Sequence, residues 1–277
     1  EGSDIWLWLS LLKYRLRDLI RFNSRQGAKK NIQHHYDIGN EFYSIWLDDT
    51  MTYSCALFGQ TKSSKPDLFK AQIAKYDRII NELRIQKNDN VLEIGSGWGG
   101  FFRRCAAKTE AKMDTITISK KQFNHAYKLI QEQNLSDMVS LKLCDYRDIR
   151  GQYDYIVSIE MFEAVGERFW DTYFRSVARN LKTHGEAIIQ TIVIKEDLYH
   201  NYKNSTDFIR QFIFPGGTLP SRKRFKEGAR KAGLEVVEQF EFGQDYAETL
   251  RLWLARYQKN IKKIESLGFD QSFHRMW

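Results

Sequence analysis

The sequence predicts an α/β fold, with a mostly parallel sheet covered by helices on both faces. Three observations carry this. Short apolar runs alternate with helical periodicity from residue 90 onward, closely spaced glycines follow the first run, and only three prolines interrupt 277 residues. A chain of this length can bury a substantial core. Its excess of 43 Lys and Arg over 35 Asp and Glu favours an anionic partner, either nucleic acid or a phospholipid surface.

Residues 1–30 are read as a basic amphipathic helix. Leu9, Leu12, Leu16, Leu19 and Ile20 share one face and Lys13, Arg17 and Arg21 an adjacent one. Such a helix suits either a cap on the main domain or a membrane interface, with Trp6 and Trp8 at headgroup level. Its apolar run, Ile5–Leu12, is far shorter than the ~20 residues that span a bilayer. The chain does not begin with Met, so a fragment of a longer protein is expected. Residues 31–58, rich in His, Tyr, Asp and Trp, lack a clean period and read as a structured loop region. Helical spacing resumes over Lys65–Leu83.

Residues 31–277 are expected to form one catalytic domain. Strands are predicted at Val91–Ile94, Met113–Ser119, Val139–Asp145, Tyr153–Glu160 and Glu186–Ile194. Helices fall after the glycines through Ala107 and over Lys120–Gln133 and Glu167–Lys182. Leu234–Phe242 reads as a further strand and Asp245–Leu267 as one helix. A segment at about 195–222, with Phe208–Phe214 and Gly216-Gly217, reads as a lid over a substrate site. Cys55, Cys105 and Cys144 show no metal-ligand or disulfide spacing, which indicates a reducing compartment and no metal site.

The first chemical signal is Glu93-x-Gly95-x-Gly97-x-Gly99 after the first strand. Glycines there let the backbone approach a nucleotide-like ligand at the carboxyl edge of the sheet. The spacing is too short for the dinucleotide pattern GxGxxG, which weighs against an NAD-binding domain. The acidic residue two places before the first glycine resembles the cofactor loop of class I S-adenosylmethionine-dependent methyltransferases, a Rossmann-like fold. In that fold Asp145, ending the third strand, lies near the adenine.

Several segments together resemble the cyclopropane fatty acid synthase family, which includes the mycolic acid cyclopropane synthases: HYDIGNEFYSIWLDDTMTYSCALF, VLEIGSGWGG, TISKKQ, DYRDI, YDYIVSIEMFEAVGE, FIRQFIFPGGTLPS and DYAETLRLW. The match runs from about Asn31 to Trp277. It implies S-adenosylmethionine contacts from Tyr36, Tyr53, Ser54, Glu93, Gly95, Gly97, Trp98, Gly99, Thr117, Ser119, Gln122, Asp145, Tyr146 and Arg147. The implied reaction is transfer of a methyl group to the cis double bond of a phospholipid acyl chain. A carbocation forms, and loss of a proton from the transferred methyl closes a cyclopropane.

In the family that proton goes to a bicarbonate ion held by five residues. Four match here: Cys55, Glu163, Ile192 and Tyr246, with Phe162 and Tyr246 offering ring faces to the cation. At the fifth, Gln190 stands where cyclopropane synthases often have His. Gln still hydrogen-bonds but carries no charge, so a methyl-branched or methylene-branched product is the alternative to a ring. The resemblance also implies a last strand beyond Trp277. The implied partner is a phospholipid membrane surface, approached from the cytoplasm at the inner face, with a homodimer left open and no nucleic acid. A nucleic-acid methyltransferase should show NPPY or DPPY after the fourth strand, where this chain has IEMFEAVG. Small-molecule methyltransferases and a non-catalytic lipid-binding relative are the remaining rivals.

Overall fold

A computed structural model of the chain describes residues 23–25, 27–28, 38–59 and 66–277. Residues 1–22 of the expected N-terminal helix and the cofactor candidate Tyr36 lie outside these residues.

Five strands form one sheet: β1 (Asn90–Ile94), β2 (Lys112–Thr117), β3 (Val139–Leu143), β4 (Tyr153–Ile159) and β5 (Leu181–Gln190). Their order is β3-β2-β1-β4-β5 and every pairing is parallel. Parallel neighbours need crossovers, supplied here by helices. The chain first builds outward from β1 to β3, then returns to place β4 on the other side of β1. The carboxyl ends of β1 and β4 therefore flank the point where strand order reverses, the usual place for a ligand crevice.

Ten α-helices are described: α1 (Asn40–Trp46), α2 (Leu68–Glu82), α3 (Gly100–Thr109), α4 (Lys120–Glu132), α5 (Trp170–Asn180), α6 (Glu196–Asn204), α7 (Arg222–Lys231), α8 (Gly243–Lys259), α9 (Ile261–Ser266) and α10 (Gln271–Met276). Alternation along the strands divides the core. Val91 and Met113 pack with Ile79, Phe102 and Ile130 of α2, α3 and α4. Leu92 and Ile116 pack on the other face with Tyr173, Phe174 and Val177 of α5. Helix starts are fixed by side-chain caps: Asp67 accepts from the Lys70 N–H, Ser221 from Arg224 and Asp270 from Phe273.

A third cluster is aromatic and joins the two ends of the described chain. The Phe42 ring on α1 lies 5.0 Å from both Phe269 and Trp277, 5.4 Å from Phe273 and 6.2 Å from Tyr257.

Four local expectations change. The region read as loop contains α1, a seven-residue helix whose buried face is Phe42, Tyr43 and Trp46. So short a helix is set by packing rather than by a readable period. The single helix expected over Asp245–Leu267 breaks at Asn260, whose side-chain amide donates to the Arg256 carbonyl at 2.8 Å and competes with the backbone ladder. Residues 234–242 make no strand. With no ladder partner among the described residues, extended chain stays unpaired, and Val237 is 87% exposed. Finally, β5 begins at Leu181 rather than Glu186, through an irregular register opposite Tyr153 and Tyr155.

Candidate active site

A cavity of about 870 Å³ opens at the carboxyl ends of β1 and β4. Its floor is the glycine loop. Gly95 (φ 98°) and Gly97 (φ 50°) occupy the left-handed region, where a Cβ is unfavourable. The loop is pinned by Gly95 and Ser96 N–H groups donating to the Ile116 carbonyl at 3.1 and 2.8 Å. A Cβ at Gly97 would meet nothing within 4 Å among the described residues, which leaves the backbone there open to close approach of a ligand. Beneath it Glu93 is buried and takes a hydrogen bond from the Thr115 hydroxyl. Burial pushes its carboxyl up to about 8.

Of the expected cofactor residues, Tyr53, Ser54, Glu93, Gly95, Gly97, Trp98, Thr117, Gln122, Asp145, Tyr146 and Arg147 line this cavity. Gly99 and Ser119 act one step back, as the N-caps of α3 and α4. Trp98 donates its indole N–H to the Asn40 side chain at 2.8 Å, fixing α1 over the loop. Arg147 grips both oxygens of Asp145 at 2.7 Å, so that pair forms a rigid rim. Asn23 reaches across to donate to the Gly216 carbonyl at 2.8 Å, while its own carbonyl accepts from Arg147 at 3.4 Å.

The same cavity is lined by a carboxylate that sequence reasoning passed over. Glu160 immediately follows β4 at φ 46°, a conformation costly for a non-glycine residue. Its Oε1 accepts from the Cys55 backbone N–H and the Gln190 side-chain amide, each at 2.8 Å. Its Oε2 accepts from the Tyr246 hydroxyl at 2.8 Å. Burial pushes its carboxyl above the ordinary range, opposed first by the Lys75 charge and then by these hydrogen bonds.

Glu163 stands beside it, with Oε1 accepting from Ile192 N–H at 2.5 Å and the Thr191 hydroxyl at 3.0 Å, while its buried Oε2 has no hydrogen-bond partner among the described residues. Burial and the Glu160 charge raise its carboxyl to about 7. Two adjacent buried carboxyls of this kind hold fewer than two negative charges near neutrality.

The five residues expected to act together are thus divided. Cys55, Gln190 and Tyr246 converge on Glu160, and Ile192 on Glu163. Cys55 contributes through its peptide. Burial and then the Glu160 charge push its thiol up to about 12, and Sγ donates to the Ala56 carbonyl. Phe162 is fully buried among Trp170, Tyr173, Phe174 and Phe225 and offers no ring face to the cavity. The signal that could have found Glu160 is a second acid, three residues before Glu163, at the very end of the fourth strand.

The segment expected as a lid comprises α6 and a π-helical turn, Ile209–Ile213. It presents Phe208, Ile209, Phe212 and Phe214 as exposed apolar groups and ties back through the Thr218 N–H to the Glu163 carbonyl at 2.9 Å. No described helix is long and apolar enough to cross a membrane, and the described residues contain no His, Cys, Asp and Glu cluster able to hold a metal.

A parallel sheet ordered β3-β2-β1-β4-β5, with a glycine loop after β1 and the cavity at the strand reversal, defines a class I S-adenosylmethionine-dependent methyltransferase fold. Within that class the chain belongs to the mycolic acid cyclopropane synthetase family, whose model matches residues 23–277. It is 37% identical over 275 residues to the tuberculostearic acid methyltransferase UfaA1 of Mycobacterium tuberculosis, covering 98% of this chain and 64% of that protein. It is 36% identical over 260 residues to the cyclopropane-fatty-acyl-phospholipid synthase of Escherichia coli, covering 94% of this chain and again 64% of the relative. The chain therefore spans somewhat under two thirds of the length of these relatives. Among solved structures, the cyclopropane synthase MmaA2 from M. tuberculosis superposes with a TM-score of 0.80 at 28% identity, covering 90% of this chain and 88% of that one. The mycolic acid cyclopropane synthase CmaA1 complexed with SAH and CTAB gives 0.81 at 31% identity, with 89% of each chain covered.

Proposed function

We propose that this protein transfers a methyl group from S-adenosylmethionine to the cis double bond of a phospholipid acyl chain and closes it to a cyclopropane, with Glu160 as the proton acceptor. The observation that carries this reading is that one cavity is lined both by a glycine loop suited to a nucleoside ligand and by Glu160, a buried, triply hydrogen-bonded carboxylate.

The cofactor supplies an electrophilic methyl carbon bonded to sulfur. The chain's own task is to align it with the alkene and exclude water. The alkene π pair forms the new carbon–carbon bond as the carbon–sulfur bond breaks, leaving positive charge on the acyl chain. Glu160 then accepts a proton from the transferred carbon, whose C–H electron pair closes the ring. Tyr246 steadies the carboxylate and lines the cavity, where its ring can face the cation.

A bound bicarbonate does not suit these residues. The Cys55, Gln190 and Tyr246 donors expected to hold it already serve Glu160, and Ile192 serves Glu163, so a further anion would compete with these carboxyls for the same donors. The base belongs to the protein instead. The exposed Phe208, Ile209 and Phe212 beside the cavity suit contact with acyl chains at a phospholipid surface, consistent with peripheral attachment to a membrane.

The test is mass spectrometry of lipids from cells making the protein and fed methyl-deuterated methionine. Gain of one methylene unit, with two deuteriums retained and the olefin lost, is the expected product. The similarity to a tuberculostearic acid methyltransferase supports a second reading, in which the cation becomes a methyl or methylene branch. A retained double bond or a methyl branch would establish that reading, and unlabelled lipid would overturn both.

A further inference from the structure

Lys75 is a buried cation with no role assigned so far. It lies in the middle of α2, is 2% exposed, and points beneath the active-site loop rather than to solvent. Its Nζ donates to the Ser54 hydroxyl at 2.5 Å and to the Cys55 carbonyl at 3.0 Å. The N–H of that same Cys55 donates to Glu160. Gln72, one turn earlier on α2, holds the neighbouring Ser54 carbonyl at 2.9 Å.

Resting on Glu160 as the proton acceptor, we propose that Lys75 is a positioning residue whose buried positive charge keeps Glu160 a carboxylate and whose grip on Cys55 aims that peptide N–H at it. An ammonium this deeply buried is costly unless opposite charge compensates it. The groups facing Lys75 are Glu160, Cys55 and Asp48, with the Tyr76 ring 5.1 Å away. Burial draws the Lys75 amine down to about 8, and Glu160 is the foremost influence holding it up. From the other side Glu160 faces Cys55, Gln190, Tyr246 and Glu163, and Lys75 is the cation that most strongly opposes its protonation.

The experiment is a pH titration of the Glu160 carboxyl carbon by NMR in glutamate-labelled protein, with the signal assigned by Glu160→Gln. In Lys75→Met the Glu160 midpoint is expected to rise by about one pH unit or more, the usual effect of losing a nearby opposite charge, with Lys75→Arg restoring much of it. An unchanged midpoint overturns the proposal. If Lys75→Met does not fold, the reciprocal measurement decides. The ε-carbon midpoint of Lys75 should fall in Glu160→Gln, and a midpoint that stays put sinks the coupling. Neither titration requires turnover. Wild-type protein that transfers no label to phospholipid vesicles would refute the proposed reaction while leaving the Lys75 result to stand or fall by itself.

Discussion

Glu160 and Gln190 are joined twice. The Gln190 side-chain amide donates to the Glu160 carboxylate at 2.8 Å, and the Glu160 backbone N–H donates to the Gln190 carbonyl at 2.9 Å. The backbone bond extends the β4–β5 ladder just past its last regular pair, Ile159 with Gln190. It holds Glu160 in the left-handed conformation, which costs roughly 1–3 kcal/mol and which the surrounding bonds must offset. The carboxylate is thereby aimed by the sheet itself rather than by a mobile side chain.

Replacing Glu160 by Gln keeps the volume and removes the proposed proton acceptor. Turnover should fall by about 10²–10⁴-fold, the usual contribution of a general base. Affinity for S-adenosylmethionine, which the proposal assigns to the glycine loop, should hold. Single-turnover assays with methyl-labelled cofactor and calorimetry separate the two, and an active Gln variant would remove Glu160 from the chemistry.

Tyr246→Phe takes one donor from the ionised Glu160. Because that hydrogen bond favours the charged form, its loss raises the pH below which Glu160 is protonated and idle. A hydrogen bond to a charged group is worth about 1.5–3 kcal/mol, or about one to two pH units. The acid limb of the kcat profile should move upward by that order, with activity recovering at high pH. A uniform loss at every pH would assign Tyr246 a different role.

Gly97→Val should cost cofactor affinity more than stability. The position opens onto the cavity with nothing within 4 Å among the described residues, so the fold has room for the side chain and the ligand does not. The left-handed backbone adds about 1–2 kcal/mol of strain. Equilibrium binding should weaken at least about tenfold, about 1.4 kcal/mol, while the thermal midpoint drops by only a few degrees. Unchanged binding would place the cofactor elsewhere.

How much of this was legible in the sequence varies with the physics involved. The parallel sheet was legible because each strand is a short apolar run bounded by turn residues. The glycine loop was legible because its spacing answers to backbone conformation. Glu163 stood out within a motif, whereas Glu160 looked like the tail of a strand, and only the sheet's third dimension brings Gln190, Cys55 and Tyr246 to it. Nothing in the helical spacing of Lys65–Leu83 sets Lys75 apart. Its burial depends on the loop at residues 54–55, which no local pattern reveals. Helix α1 and the break at Asn260 were likewise settled by distant packing and by a side-chain hydrogen bond.

The buried Glu93 gives a pH signature unrelated to catalysis. Its carboxyl, pushed up by burial to about 8, holds its proton more tightly in the folded chain than in the unfolded one. The stability it confers is complete below the ordinary glutamate range and is lost as pH rises through 8. Glu93→Gln should therefore flatten the fall of the thermal midpoint between about pH 5 and 9. Parallel curves for the two proteins would mean that Glu93 is ionised in the fold.

The aromatic cluster around Phe42 bears on the order in which the molecule assembles. Trp46 meets Trp253 and Trp277, and Tyr53 meets Trp253, two hundred or more positions along the chain, to make one wall of the cavity. Pairing of β1 with β2 and β4 closes much shorter loops, and short loops form sooner. The nucleotide floor should thus become native while that wall is still open. In pulse-labelled hydrogen exchange during refolding, amides of β1 and β2 are expected to gain protection before those of α1 and α8. A chain halted at that stage would have half a catalyst, able to hold a cofactor and unable to shelter a reaction.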